Sequence, residues 1–254
     1  MARKTSLMFG LLVTPLVALA LAGMTACGGS SDSPPKPLSR HFDDMFIAQI
    51  PLEQKQAVVT AQNDYSVAKM EHAKAQADLS EASAGVEIAK NDRKSTENTL
   101  SSALTTKKQA DASADQTRVN DAARELRAAE LAKKAAEKRV KYMEAYRDWL
   151  KKHARYTEEN MYWREAQFEV AKADIAQKNN IAPKDFKFAD YPQQEAERKS
   201  RASKARDNSE KERGKASEAR QSWLRQQAES DEANGRTSDL PDPMAKLSSS
   251  TPSS

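Results

Sequence analysis

Between Pro51 and Pro183 the chain contains no proline and a single glycine, Gly85. Proline costs about 3 kcal/mol in a helix interior and glycine about 1, so nothing in this stretch opposes continuous helix. Its apolar residues return in alternating steps of three and four: Val58, Ala61, Tyr65, Ala68, His72, Ala75, Leu79, Ala82, Val86, Ala89, Arg93, Thr96, Leu100, Ala103. A seam sustained over more than six heptads predicts a coiled coil. One phase carries larger residues; the other is Ala except at Thr96. Small residues at every seventh position let two helix axes approach closely, which predicts tight pairing.

Composition agrees with the seam. Of 254 residues, 31% are charged and only 6% aromatic, and no run of β-branched residues bounded by turn signals predicts a strand. The apolar residues form narrow stripes, which argues against a globular core enclosing an active site. The 41 basic and 37 acidic residues alternate along the predicted helices as solvated faces do. There is no basic block with interleaved aromatics, so nucleic acid is not an expected partner.

At the N-terminus, Arg3 and Lys4 precede an apolar run from Leu7 to Leu21, and small residues then lead to Cys27. A charged start, an apolar middle and a small-residue end make a secretory leader. Cys27 is the only cysteine, so no intrachain disulfide can form. The segment Met24-Thr25-Ala26-Cys27 resembles the lipobox of bacterial lipoproteins, with Met24 where Leu is usual. The resemblance covers the first 27 residues and implies a processing route: diacylglyceryl attachment to the Cys27 sulfur, cleavage before it, and acylation of the new N-terminus. Several acyl chains anchor far more firmly than one. Gly28 and Gly29, in place of the Asp that retains enterobacterial lipoproteins at the inner membrane, imply delivery to the outer membrane, facing the periplasm.

The predicted order is a signal peptide over 1–26, then a flexible Gly/Ser/Pro tether over 27–41, then a first segment with helix 1 over 42–110. Within it Phe42, Met45, Phe46, Ile47 and Ile50 form an apolar cluster, read as a cap on the helical base or as a contact with a membrane or partner. The seam fails at 111–117. A second seam runs Val119, Ala122, Leu126, Ala129, Lys133, Ala136, Val140, Met143, Arg147, Leu150 and on to Ile175. The two are out of register, which a hairpin tip at 111–117 explains more simply than a stutter within one helix of an oligomer. Helix 2 then spans 118–180 and a proline-bounded loop 181–192. Helix 3 covers 193–229, and 230–254 reads as a disordered tail. The fold class is all-α: a long antiparallel coiled-coil hairpin with a third helix on its base and disordered termini.

Helix 2 carries a second stripe, Tyr142, Tyr146, Trp149, His153, Tyr156 and Trp163, too wide a face for one partner. Either helix 3 folds back on it, bringing Trp223 near Trp149 and Ala216 and Ala219 near Tyr156, or it is exposed as a partner site. The candidate partner contacts are therefore Asp111 and Asp115 at the tip, and Tyr142, Tyr146, Trp149, Tyr156, Trp163 and Trp223. The sequence shows no catalytic residue, cofactor site or metal ligand set. His41, His72 and His153 lack a second ligand at helical spacing, and no phosphate loop or nucleophile motif occurs. The expectation is a non-enzymatic, lipid-anchored envelope protein acting as spacer, scaffold or adaptor. It is held to the membrane by Cys27 and offers its tip to an envelope protein or peptidoglycan, and a homo-oligomer is a candidate assembly. A holdase chaperone similar to the jellyfish-shaped periplasmic ones, or an accessory subunit of a secretion or efflux machine, is the alternative. The tail lacks the terminal Lys that joins the murein lipoprotein to peptidoglycan.

Overall fold

The computed structural model describes residues 35–181 and 186–248. The predicted leader, Cys27 and the first part of the tether lie outside the described residues. Three long helices dominate: α1 Gln56–Asp111, α2 Gln116–Lys178 and α3 Asp190–Asn234, followed by a short α4, Pro243–Ser248. At 1.5 Å per residue the 56, 63 and 45 residues of the long helices correspond to roughly 84, 95 and 68 Å. The described residues form an all-α bundle, with α1 and α3 both packed on α2.

The turn between α1 and α2 is narrower than the predicted tip. α1 runs through Asp111 and α2 starts at Gln116. Ser113 closes α1, its amide and its hydroxyl both donating to the Ala110 carbonyl. Asp115 caps α2, its carboxylate accepting from the amides of Thr117 and Arg118, so two of the orphan donors of the first turn are paired. No glycine is needed because no residue of this turn has positive φ. α1 and α2 then run antiparallel: Asp64 meets Arg164, His72 meets Thr157 and Asp92 meets Arg139. At Gly85 the Met143 side chain fills the space a Cβ would need, its Cε standing 2.7 Å from that position.

α2 ends on Asn180 at φ 56°, a left-handed residue that Asn tolerates. The amide of Ile181 returns to the Ala176 carbonyl, closing the helix end. α3 folds back along α2, in a register closer to the turn than the sequence predicts. Trp223 stacks on Tyr142, centroids 5.2 Å apart, while Trp149 lies under the guanidinium of Arg213. α3 is also longer than expected, and its end reaches Arg124–Leu131 of α2, so the third helix is not confined to the base. Alanine and serine allow this: Ala202, Ser209, Ala216, Trp223 and Ser230 stand seven apart and all are buried.

Residues 230–248 differ most from expectation. α3 continues through Asn234 and is capped by Gly235 at φ 61°. Asp231 then accepts from the amide and hydroxyl of Ser238. Leu240 and Met244 pack on the central core, and the Asp242 carboxylate accepts from the Tyr142 hydroxyl (2.7 Å) and Arg220 Nε (2.6 Å). The segment is polar in composition, but it is fixed by two aspartates acting as local caps, which composition does not register.

Candidate functional site

The base is closed by residues 35–50. Phe42, 1% exposed, meets Phe46, Phe186 and Tyr191 edge-on. Ile47, Ile50, Val58, Ala173, Ile175 and Ala176 complete this cluster. The apolar group predicted at 42–50 therefore caps the helices, although Met45 remains largely exposed. Residues 35–41, read from sequence as part of a flexible tether, are pinned. Arg198 donates to the Pro37 carbonyl at 3.0 Å. Gln194 accepts from the amides of Ser39 and Arg40 and donates to the Arg40 carbonyl. The Tyr191 hydroxyl donates to the His41 carbonyl. Glu169 accepts the Phe42 amide at 2.5 Å, and Lys172 donates to the Phe42 carbonyl and to Asp44, each at 2.9 Å.

Glu169, Lys172, Gln194 and Arg198 are all buried, where charges and amides persist only when paired. Here most of their hydrogen-bond partners are main-chain atoms of one irregular strap, bent at Ser39, while Glu169 and Lys172 also pair with each other at 2.8 Å. The strap also has a direction. As its numbers fall from 42 to 37, its partners on α3 advance from Tyr191 to Arg198, so its N-terminal end points along the bundle toward the α1–α2 turn.

Beyond the strap, Glu159 is 2% exposed and lies among three arginines. Arg155 and Arg201 reach its Oε1 at 2.9 Å, and Arg198 Nη1 stands 4.0 Å from Oε2. Burial, and next the neighbouring Arg201 charge, push the Arg198 pKa down, while Glu159 opposes them. Nearby, burial raises the Glu165 pKa. Burial together with that carboxylate pushes Tyr65 up to about 12.

The aromatic candidates from the sequence come together, but inward. Tyr142, Tyr146, Trp149 and Trp223 are buried and Tyr156 and Trp163 half-buried. Successive rings from Trp223 through Tyr142, Tyr146, Trp149 and His153 to Tyr156 have centroids 5.2 to 6.2 Å apart. Burial lowers the His153 pKa against the pull of Asp78 and Glu71 on α1 and Glu210 on α3, with Arg213 adding to the fall. Trp163 donates its indole N–H to Glu195. The stripe is thus consumed by α3 and the latch at Asp242. The tip candidates are exposed, Asp115 as a cap and Asp111 paired with Lys107; nothing brings them near the aromatic set.

Among the described residues no group of His, Cys, Asp and Glu is arranged to hold a metal ion, and no helix is long and apolar enough to cross a membrane. No protein-family model, curated protein or solved structure matches the chain.

Sequence reasoning did not single out the polar strap holders, and it read Glu159 as a carboxylate on a solvated helix, which its burial corrects. A signal existed: Glu159, Ala166 and Ala173 stand seven apart, as do Tyr191, Arg198 and Ala205, and all six are buried. A charged residue within an alanine phase marks a buried polar site when the phase is followed to its end.

Proposed function

We propose that this chain is a lipid-anchored cell-envelope protein whose helical body acts as a spacer, scaffold or adaptor. In this reading α1 and α2 form an antiparallel coiled coil, α3 stiffens most of its length, and acylated Cys27 holds the protein to a membrane. The observation that carries the reading is the strap. A tether fastened only through α1 would swivel about the residues before Gln56. Residues 37–42 instead bind side chains of both α2 and α3, so a force on residue 35 is shared by both helices near the base. From Asp190 to Arg198 is about 12 Å of helix, which sets where the tether leaves the base. The eight residues from Cys27 to Pro35 span at most about 28 Å when fully extended. The turn at Ala112–Asp115, at the far end of α1 and α2, is then the part presented outward.

Two measurements test this. Cys27→Ser should abolish incorporation of labelled fatty acid and release the protein from the membrane fraction; unchanged membrane association would sink the anchor. A photo-crosslinking residue at Asp115 in living cells should give one discrete adduct. A smear of many envelope proteins would instead favour the holdase reading, and self-adducts alone would mean that the turn is buried in an oligomer.

A further inference from the structure

The strap holders do more than cap a helix base. Seven hydrogen bonds from five side chains fall on main-chain atoms of residues 37–42, from the Arg198 bond to the Pro37 carbonyl (3.0 Å) to the Lys172 bond to the Phe42 carbonyl (2.9 Å). Both the amide and the carbonyl are read at Arg40, by the single carboxamide of Gln194 (3.1 Å each), and both are read at Phe42, by Glu169 and Lys172. Two side chains fix the register: Leu38 and Phe42, 6% and 1% exposed, point into the body. The side chains of Arg40 and His41 are more than half exposed. Reading a segment's backbone, with apolar anchors for register, is how proteins bind peptides.

The covalent link is not what holds the strap. Between it and α1 lie only two short 3-10 turns, Asp44–Ile47 and Leu52–Lys55, joined at an exposed Pro51. An empty groove would strip Gln194 of its partners and leave the Glu169–Lys172 pair (2.8 Å) and Arg198, still near Glu159, without their main-chain bonds, so it favours being filled over standing open.

We propose that the groove between α2 and α3 is a peptide clamp for a non-helical segment, bent at its Ser39 position, with a Leu and an aromatic residue four positions apart, that residues 37–42 are its ligand in cis, and that the same segment supplied in trans exchanges with it. The inference does not depend on lipid. It fails or stands separately from the envelope reading, because the test uses purified protein.

The test inserts a protease site after Pro51 in the full-length mature chain. After cleavage the N-terminal fragment should co-elute with the helical body. A labelled peptide of residues 35–50 in excess should then replace it. The same peptide with an ester in place of the amide between His41 and Phe42, which removes the donor to Glu169 without adding bulk, should bind about tenfold or more weakly. A peptide with Met45→Ala, a side chain 70% exposed, should bind within about threefold of the parent. Prompt loss of the fragment from an intact helical body overturns the clamp. So does unfolding on cleavage, which would make residues 35–50 part of the core rather than a ligand. Equal weakening by the ester and by Met45→Ala would overturn the claim that the main chain is what is read.

Discussion

The half of the molecule near the base and the half near the α1–α2 turn follow the same heptad spacing but are built from different residues. Between residues 87 and 138 every buried residue is an alanine: Ala89, Ala103, Ala110, Ala122, Ala129, Ala135 and Ala136. Toward the base the same helices bury Val86, Val140, Tyr142, Met143, Trp149 and Leu150, and α3 adds Trp223. Spacing decides which faces meet; side-chain size decides how strongly. An alanine removes about one methyl group from water, near 0.8 kcal/mol, whereas an aromatic side chain contributes about 1.5–3. The distal pair should therefore open locally at low free energy while the lower bundle holds.

The largest break in that contrast is Trp223→Ala. Trp223 is 2% exposed and stacked on Tyr142, and its loss should cost about 3–5 kcal/mol. Ala103→Gly in the distal pair should cost only about 1. Urea unfolding followed by circular dichroism measures both, and similar losses would show that the two halves are equally packed.

Next comes Glu159→Gln, which leaves Arg155, Arg198 and Arg201 facing one another across a buried neutral group. Removing one partner of a buried ionic cluster costs about 3–5 kcal/mol. The low end is expected here because the Arg201 side chain is 38% exposed and stays partly hydrated. Glu159→Leu should recover none of this, since the arginines remain. A loss below about 1 kcal/mol would mean that water already screens the cluster.

How far the sequence carried depends on what each feature rests on. Periodicity located the α1 face, because an alanine every seventh residue has few other uses: Ala68, Ala75, Ala82, Ala89 and Ala103 are all buried as the seam requires. The fold-back of α3 followed from the surplus aromatic face of α2. Its register did not, because a repeat of seven is satisfied equally well one heptad along, and only the fit of Trp223 on Tyr142 chooses. The strap and the latch at Asp242 were invisible for another reason. Both are held by individual polar side chains reaching across 100 or more positions of sequence, such as Glu169 to Phe42 and Tyr142 to Asp242, and no periodic pattern encodes them.

A smaller effect should follow from Tyr142→Phe. The hydroxyl donates to Asp242 and accepts the Met244 amide, so its loss should cost about 1 kcal/mol and speed proteolysis within residues 236–242 while leaving the α1–α2 turn unchanged. Alkali tests the same region. Burial holds Tyr142 protonated well beyond the usual range and raises Tyr65 and Tyr146 to about 12. Above pH 10 the unfolded chain loses these protons while the folded chain keeps them, so stability falls as pH rises from 10 toward 12. No tyrosine lies between residues 66 and 141. Tryptophan fluorescence, which reports the lower bundle, should therefore change at a lower pH than the helical signal of the distal pair; coincident transitions would mean that the halves unfold as one.

The smallest change probes the turn itself. Asp115 supplies the side-chain cap of α2 and is exposed, so Asp115→Ala should cost about 1 kcal/mol. In a tightly coupled molecule that loss would be spread over the global unfolding transition. In this one the adjoining seam is alanine alone, so the loss should instead appear as faster amide exchange confined to roughly the first two turns of α2 and the last two of α1. Exchange at Tyr142 and Trp149 should not move, and Asp115→Asn, which keeps an acceptor, should restore most of the protection. If protection fell equally at Trp149, the distal pair would be coupled to the aromatic core. The arm would then transmit what happens at its end down to the strap.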